Sequence, residues 1–267
     1  MGTLVCFHAH PDDESMATGG IMTQTSDAGH RVVLVCATRG ELGEPVDGVL
    51  DEGEQLWERR MTELAESARI LGAEEPHWLG YEDSGMDGEP TNDNPASFWQ
   101  ADLDEAAARL SAILTEVGAT ALTIYDHHGG YGHPDHVQVH RVGKMAAEIA
   151  GVVNVYEATT NRDRIAEMMT LAEDPDMAHL TDEIPDAAMM EDFGTPANDV
   201  SFEIDVSSVI ERKRQSMMAH ASQIGPDSFF LAMPPHVFAL AFGIESFNIP
   251  GRSDTGGPEL LDVLPGL

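Results

Sequence analysis

The chain has 267 residues, with 14 Lys plus Arg set against 47 Asp plus Glu, for a formal net charge of −33. That length carries one large α/β domain or two small ones, each able to bury a sizeable core, and 42% hydrophobic residues punctuated by 25 Gly and 15 Pro point to a globular chain. The charge makes duplex nucleic acid and anionic membrane surfaces poor partners, because the Lys and Arg that would neutralise phosphates are missing. No apolar run reaches the roughly 18 residues of a transmembrane helix. The opening MGTLVCFHAH has no basic n-region, and two cysteines cannot form a disulfide framework, so a cytoplasmic location is expected. The acidic residues are spread along the whole chain, which favours a solvated, salt-tolerant surface over an acidic tail.

In chain order, residues 3–7 and 32–37 are short β-branched apolar runs, each closed by a turn rich in Gly, Asp or Glu, and both predict strands. Residues 55–71 place Leu56, Met61, Leu64, Ala68 and Leu71 at a helical period, and Gly72 supplies the C-cap. A short strand at 77–80, a helix at 102–117 stopped by Gly118, a strand at 121–125, a helix at 137–150 stopped by Gly151 and a strand at 152–156 follow. This alternation predicts β-α-β crossovers, and hence an α/β fold with a Rossmann-like, mostly parallel sheet and helices on both faces. Beyond residue 160 the pattern is less regular. Residues 173–199 predict an acidic surface excursion, 200–206 an edge strand, 208–224 a helix, and 228–247, rich in Phe, Leu, Met and Pro, a flap over a pocket. With no clean linker, the expected organisation is a single domain over 1–267, comprising an α/β core (1–160) and a C-terminal elaboration (161–267).

Two segments concentrate metal-competent side chains. One is His8-Ala9-His10-Pro11-Asp12-Asp13-Glu14, after the first strand; the other is residues 126–136, after the 121–125 strand. Ligands of an open parallel sheet bind beyond the carboxyl ends of its strands, so the fold brings the two segments together. Catalytic zinc uses three imidazole or carboxylate ligands plus water. His10 and Asp13, three residues apart on a turn opening a helix, can face one ion that His136 approaches from the other loop. Asp12, not needed as a ligand, can accept the proton of a metal-bound water. Spacing alone leaves His8, His127, His128, His133 and His140 as further candidate ligands. Cys6 and Cys36 lie on apolar strands and read as inert buried thiols. Gly19-Gly20 lacks the G-x-G-x-x-G dinucleotide fingerprint.

Together, His10-Pro11-Asp12-Asp13-Glu14 and Gly132-His133-Pro134-Asp135-His136 resemble the LmbE-like (PIG-L) family of zinc-dependent N-deacetylases, and within it the deacetylase and S-conjugate amidase group of mycothiol metabolism. Arg60-Met61-Thr62-Glu63-Leu64, Asp83-Ser84-Gly85-Met86 and residues 212–223 extend the likeness over most of the chain. The resemblance implies His10, Asp13 and His136 as zinc ligands and Asp12 as general base. It implies that His133 stabilises the oxyanion or protonates the leaving amine, that Asp135 orients His133, and that Tyr131 reaches the substrate carbonyl. Arg60 and Asp83 match positions that bind sugar hydroxyls. Glu14 matches the motif without a clear role, and His220 falls in a matched segment as a structural residue. The implied reaction is hydrolysis of the acetamide of an N-acetylglucosaminyl compound or its glycoconjugate, releasing acetate. Fe²⁺ stands beside Zn²⁺, because nitrogen and oxygen ligands select weakly between them. The alternatives are an amidase acting on a larger mycothiol-type conjugate or another amide, and a metal-binding module without catalysis. Ser15-Met16-Ala17 lacks the Lys of the conjugate amidase pattern, and the Asp12–His133 pair argues against the module. Members of the family are often oligomeric, which leaves a homo-oligomer open.

Overall fold

Every residue of β1 (Thr3–His8) is buried, as a strand needs when both faces of its sheet are covered. The chain is described here from a computed structural model that covers residues 1–170 and 193–267. After β1 come α1 (Asp13–Ala17), α2 (Gly19–Asp27), β2 (Arg31–Cys36), α3 (Leu56–Leu71), β3 (His77–Trp78), α4 (Leu103–Val117) and β4 (Ala121–Tyr125). The one-turn α5 (Gly129–Gly132), α6 (Pro134–Ala150), β5 (Asn154–Thr159) and α7 (Arg162–Thr170) complete the first part. The second part holds β6 (Phe202–Asp205), α8 (Ile210–Ala219), α9 (Phe229–Ala232), α10 (Pro235–Phe242), β7 (Ile244–Asn248) and β8 (Glu259–Leu261).

Local chemistry starts and stops these helices. Gln55 and Glu58 close a reciprocal capping box at the head of α3, and Gly72 ends it in the left-handed conformation. The Asp102 side chain accepts the Glu105 N–H at the head of α4, and Gly118 ends that helix. Among the described residues no helix is long and apolar enough to cross a membrane.

The described strands form one sheet in the order β3-β2-β1-β4-β5-β7-β6-β8. β3 through β5 run parallel, whereas β7 joins antiparallel to both β5 and β6. Alternation along the strands divides the core. Val5, Phe7, Val33, Val35, Leu122 and Ile124 pack under α4 and α6. Leu4, Cys6, Leu34 and Cys36 pack with Ile21 and Met22 of α2, Leu64 and Leu71 of α3, and Phe202 and Phe247. The mostly parallel α/β sheet covered on both faces is therefore present, and one sheet runs through both parts of the chain.

Two expectations for the second part of the chain change. β6 was expected at an edge, but β8 pairs parallel to it and is itself the edge strand. The stretch 228–247 is not one flap. Leu231, Val237 and Phe238 of α9 and α10 form an apolar cluster with Met217 of α8, and its last residues enter the sheet as β7, where Phe247 is fully buried. Most of the expected excursion 173–199 lies outside the described residues; of its end, Thr195 bridges to Asn161 and Ala197–Asp199 is a 3-10 turn.

Candidate metal centre

From β1 the chain moves to β2 and β3 on one side, and from β4 to β5 on the other, so the connections leaving the carboxyl ends of these two neighbouring strands run apart and leave a crevice between them. Both metal-competent segments enter it. After β1, Asp12 takes φ 112° and ψ −30°, a conformation that costs a non-glycine residue about 1–3 kcal/mol, and α1 starts at the next residue. After β4, Gly129 adopts φ +70°, and a Cβ there would lie 2.7 Å from the His136 Cβ and 2.8 Å from the Val137 nitrogen. Pro134 occupies the first turn of α6 with His133 as N-cap. The helix thus starts at 134 rather than 137, and His136 projects from its first turn.

Asp13 sits between two imidazoles. Its Oδ2 accepts the His10 backbone N–H at 2.8 Å and lies 3.6 Å from His10 Nδ1, while its Oδ1 lies 3.3 Å from His136 Nε2. That Nε2 is buried and has no hydrogen-bond partner, a position suited to a cation's lone-pair donor. The His10 ring is held from its far side, with Nε2 at 3.1 Å from Asp135 Oδ2, so its Nδ1 is left facing Asp13. Tyr125 stacks on His136 at 4.4 Å and 17°. Burial raises the Asp13 carboxyl, yet His136 and His10 together hold it well below the usual carboxylate range.

Among the described residues, the sets whose ligand atoms all lie within 4.8 Å of one another are His10, His133 and His136, and His10, Asp83, His133 and Asp135; Asp13 meets His10 and His136 pairwise, one through each oxygen. The hydrogen bonds separate these sets. His133 Nδ1 accepts the Asp135 backbone N–H at 3.1 Å, so the proton of a neutral ring sits on Nε2 and makes it a donor rather than a ligand. Asp83 accepts N–H groups of Gly85 (2.9 Å) and Leu42 (3.3 Å), and Asp135 accepts the Ser84 N–H at 3.0 Å and its hydroxyl. His10 Nδ1, Asp13 and His136 Nε2 are the groups left to hold an ion, and two nitrogens with one carboxylate suit a divalent transition metal.

The other expected residues fall around this set. Asp12 Oδ2 lies 3.2 Å from Arg60 Nη2; burial lifts its carboxyl to about 6 against the pull of that guanidinium. Burial, with His10 and His136 alongside, lowers His133 to about 4. Asp135 is fully buried, and its carboxylate reaches His10 and Ser84; what the His133 ring receives from that residue is the backbone N–H. Arg60 is 4% exposed and donates to Gly40 O and Pro11 O besides Asp12, so it faces the acid rather than open solvent. Asp83 Oδ1 is 3.5 Å from His10 Nε2, and despite burial that imidazole keeps the carboxyl below the usual range. Tyr131, 51% exposed, stands at the mouth with its ring 4.9 Å from that of His136.

His8 uses both ring nitrogens, on Tyr125 Oη at 2.7 Å and Thr18 Oγ1 at 2.8 Å. His127, His128 and His140 instead line a separate cleft of about 630 Å³ together with Glu157 and Lys144. Sequence reasoning gave no role to Tyr125, which stacks on His136, or to Ser84, which donates to Asp135, because both roles come from pairing and packing; Glu14, likewise left without a role, is fully buried.

Residues 5–147 match the family described as "PIG-L: GlcNAc-PI de-N-acetylase". The chain is 38% identical to a 1D-myo-inositol 2-acetamido-2-deoxy-alpha-D-glucopyranoside deacetylase of Acidothermus cellulolyticus, over 92% of this chain and 87% of that protein. A Thermobifida fusca protein of the same name is 37% identical over 96% of each. Among solved structures, the N,N'-diacetylchitobiose deacetylase of Pyrococcus horikoshii superposes with a TM-score of 0.58 at 23% identity, covering 93% of this chain and 84% of the other, a likeness of fold.

Proposed function

The chain belongs to the PIG-L family of de-N-acetylases, and from that membership we propose that it is a metal-dependent hydrolase removing the N-acetyl group of an N-acetylglucosaminyl glycoside. The products are acetate and the free amino sugar. One observation carries the reading. The Asp13 carboxylate lies between the imidazoles of His10 and His136, the latter with an orphaned Nε2, and a second carboxylate, Asp12, which the ion does not need, stands beside them.

Zn²⁺ held by His10, Asp13 and His136, with Fe²⁺ as the alternative, would lower the pKa of a bound water to about 7 and polarise the acetamide carbonyl. Asp12 accepts the proton of the attacking water and passes it to the amine nitrogen as the C–N bond breaks. Arg60, 3.2 Å from its Oδ2, keeps that carboxylate in place. The His133 Nε2–H donates to the carbonyl oxygen as negative charge builds there. Asp135 orients His10, as carboxylates behind metal-bound imidazoles do. Tyr131 borders the mouth that the sugar enters.

The test is acetate release from metal-stripped protein titrated with Zn²⁺ or Fe²⁺. Substrates would include 1D-myo-inositol 2-acetamido-2-deoxy-alpha-D-glucopyranoside, the glycoside named for the two relatives. Asp12→Asn is the control, since Asn tolerates positive φ. Release that needs metal and falls about 100-fold or more in the variant supports the reading; bound metal with no release from any N-acetylglucosaminyl substrate overturns it.

A further inference from the structure

The Glu14 side chain is fully buried, and its two oxygens face different ways. Oε1 accepts the Ser67 hydroxyl at 2.5 Å and lies 2.6 Å from Nε2 of His220, itself fully buried just beyond α8. Oε2 accepts one bond, the backbone N–H of Asp12 at 3.0 Å. Asp12 is the residue forced to φ 112°, and its carbonyl is held in turn by the Ser15 N–H at 3.0 Å and hydroxyl at 2.7 Å. A backbone in so sparsely populated a conformation persists only where its surroundings over-determine it. A buried ionic pair is a poor source of net stability compared with an apolar pair of the same size. Its presence here, one bond from the strained residue, is better accounted for by orientation than by cohesion.

We propose that Glu14, clamped by His220, is a positioning residue for Asp12: it pins the Asp12 amide so that the carboxylate of the base faces the ion site. The Asp12 N–H is the inner end of the clamp and His220 the outer end; neither Glu14 nor His220 touches substrate.

The activity arm of the test rests on the deacetylase reading, and a spectroscopic arm does not. Glu14→Gln is nearly isosteric and keeps the fold, but it cannot serve His220, Ser67 and the Asp12 amide with carboxylate oxygens at once. In zinc-loaded protein it is expected to lower kcat about 10–100-fold, with KM within about twofold and one zinc still bound. His220→Leu should behave alike, and His220→Gln, which retains an N–H donor, should recover most of the loss. In ¹H–¹⁵N spectra the Asp12 amide proton, shifted downfield by its carboxylate acceptor, should move upfield in Glu14→Gln. Wild-type kcat in Glu14→Gln, an unmoved Asp12 resonance, or a loss of activity that only tracks lost zinc would each overturn the proposal. If wild-type protein deacetylates nothing, the function falls, while the Asp12 resonance still decides the positioning.

Discussion

Glu157 sits within β5, 8% exposed, with its Oε1 3.5 Å from His140 Nδ1. Burial lifts its carboxyl from an ordinary 4.5 to about 7, so the folded protein prefers the neutral acid. The stability this contributes is fully present below about pH 4.5 and is lost as pH rises through about 7. At about 1.4 kcal/mol per pH unit the full shift would be worth about 3 kcal/mol, and solvent screening at this partly accessible carboxyl lowers that. Glu157→Gln, neutral at every pH, should remove that slope: subtracting its melting temperatures from those of wild type between pH 4.5 and 8 should leave a falling curve, and a flat difference would sink the idea. The same scale shows what spacing could not settle. His8 and His10 are two residues apart, but His8 ends β1 and spends both nitrogens on Tyr125 and Thr18, whereas His10 lies beyond the strand and faces Asp13. His127, His128 and His140 have ligand chemistry as good as that of His136; the first two precede α6 and His140 lies one turn further along it, and all three line the other cleft.

At the scale of elements, two devices set the frame. Glu245 of β7 accepts the N–H groups of Gly20 (2.7 Å) and Ile21 (2.9 Å) at the head of α2 and is paired with Lys213 of α8 at 2.5 Å, both side chains being at most 2% exposed. Lys213→Met leaves that carboxylate buried and short of its counter-ion, and denaturant unfolding should register a loss of about 3–5 kcal/mol. The Gly129 turn is the second device. Gly129→Ala would drive a methyl into the His136 backbone and impose positive φ on an L-residue, so zinc affinity should fall by at least about tenfold with little change in global stability; unchanged affinity by competition with a chelator would refute this. The α3 and α4 helices were legible because capping and periodicity agree there, and Gly72 and Gly118 stop them as expected. β7 was not legible. Its sequence, IESFN, carries Glu245 and Asn248, polar residues whose burial depends on partners far away in the chain.

Over the whole molecule, a net charge of −33 repels itself most in the compact state. Raising salt from 0.1 to 1 M shortens the screening length from about 10 Å to about 3 Å, so the melting temperature should rise over that range with NaCl and KCl alike. A flat profile would refute the repulsion, since pairs such as Arg31–Glu74 and Arg59–Glu54 leave the acidic excess in place. That both loops follow strands of one parallel sheet, and so meet beyond its carboxyl ends, was legible from strand-helix alternation; the strand order that sets β1 beside β4 was not. The clamp beneath Asp12 was not legible either, since it depends on a bond between Glu14 and His220, residues 206 positions apart. That span has a consequence during synthesis. A ribosome adding about 5–20 residues per second produces the whole HPDDE loop, and later the His136 loop, well before His220 emerges. Both candidate metal loops therefore wait, already translated, for α8 to arrive, and Glu14 gains its His220 partner only after both of them have been made.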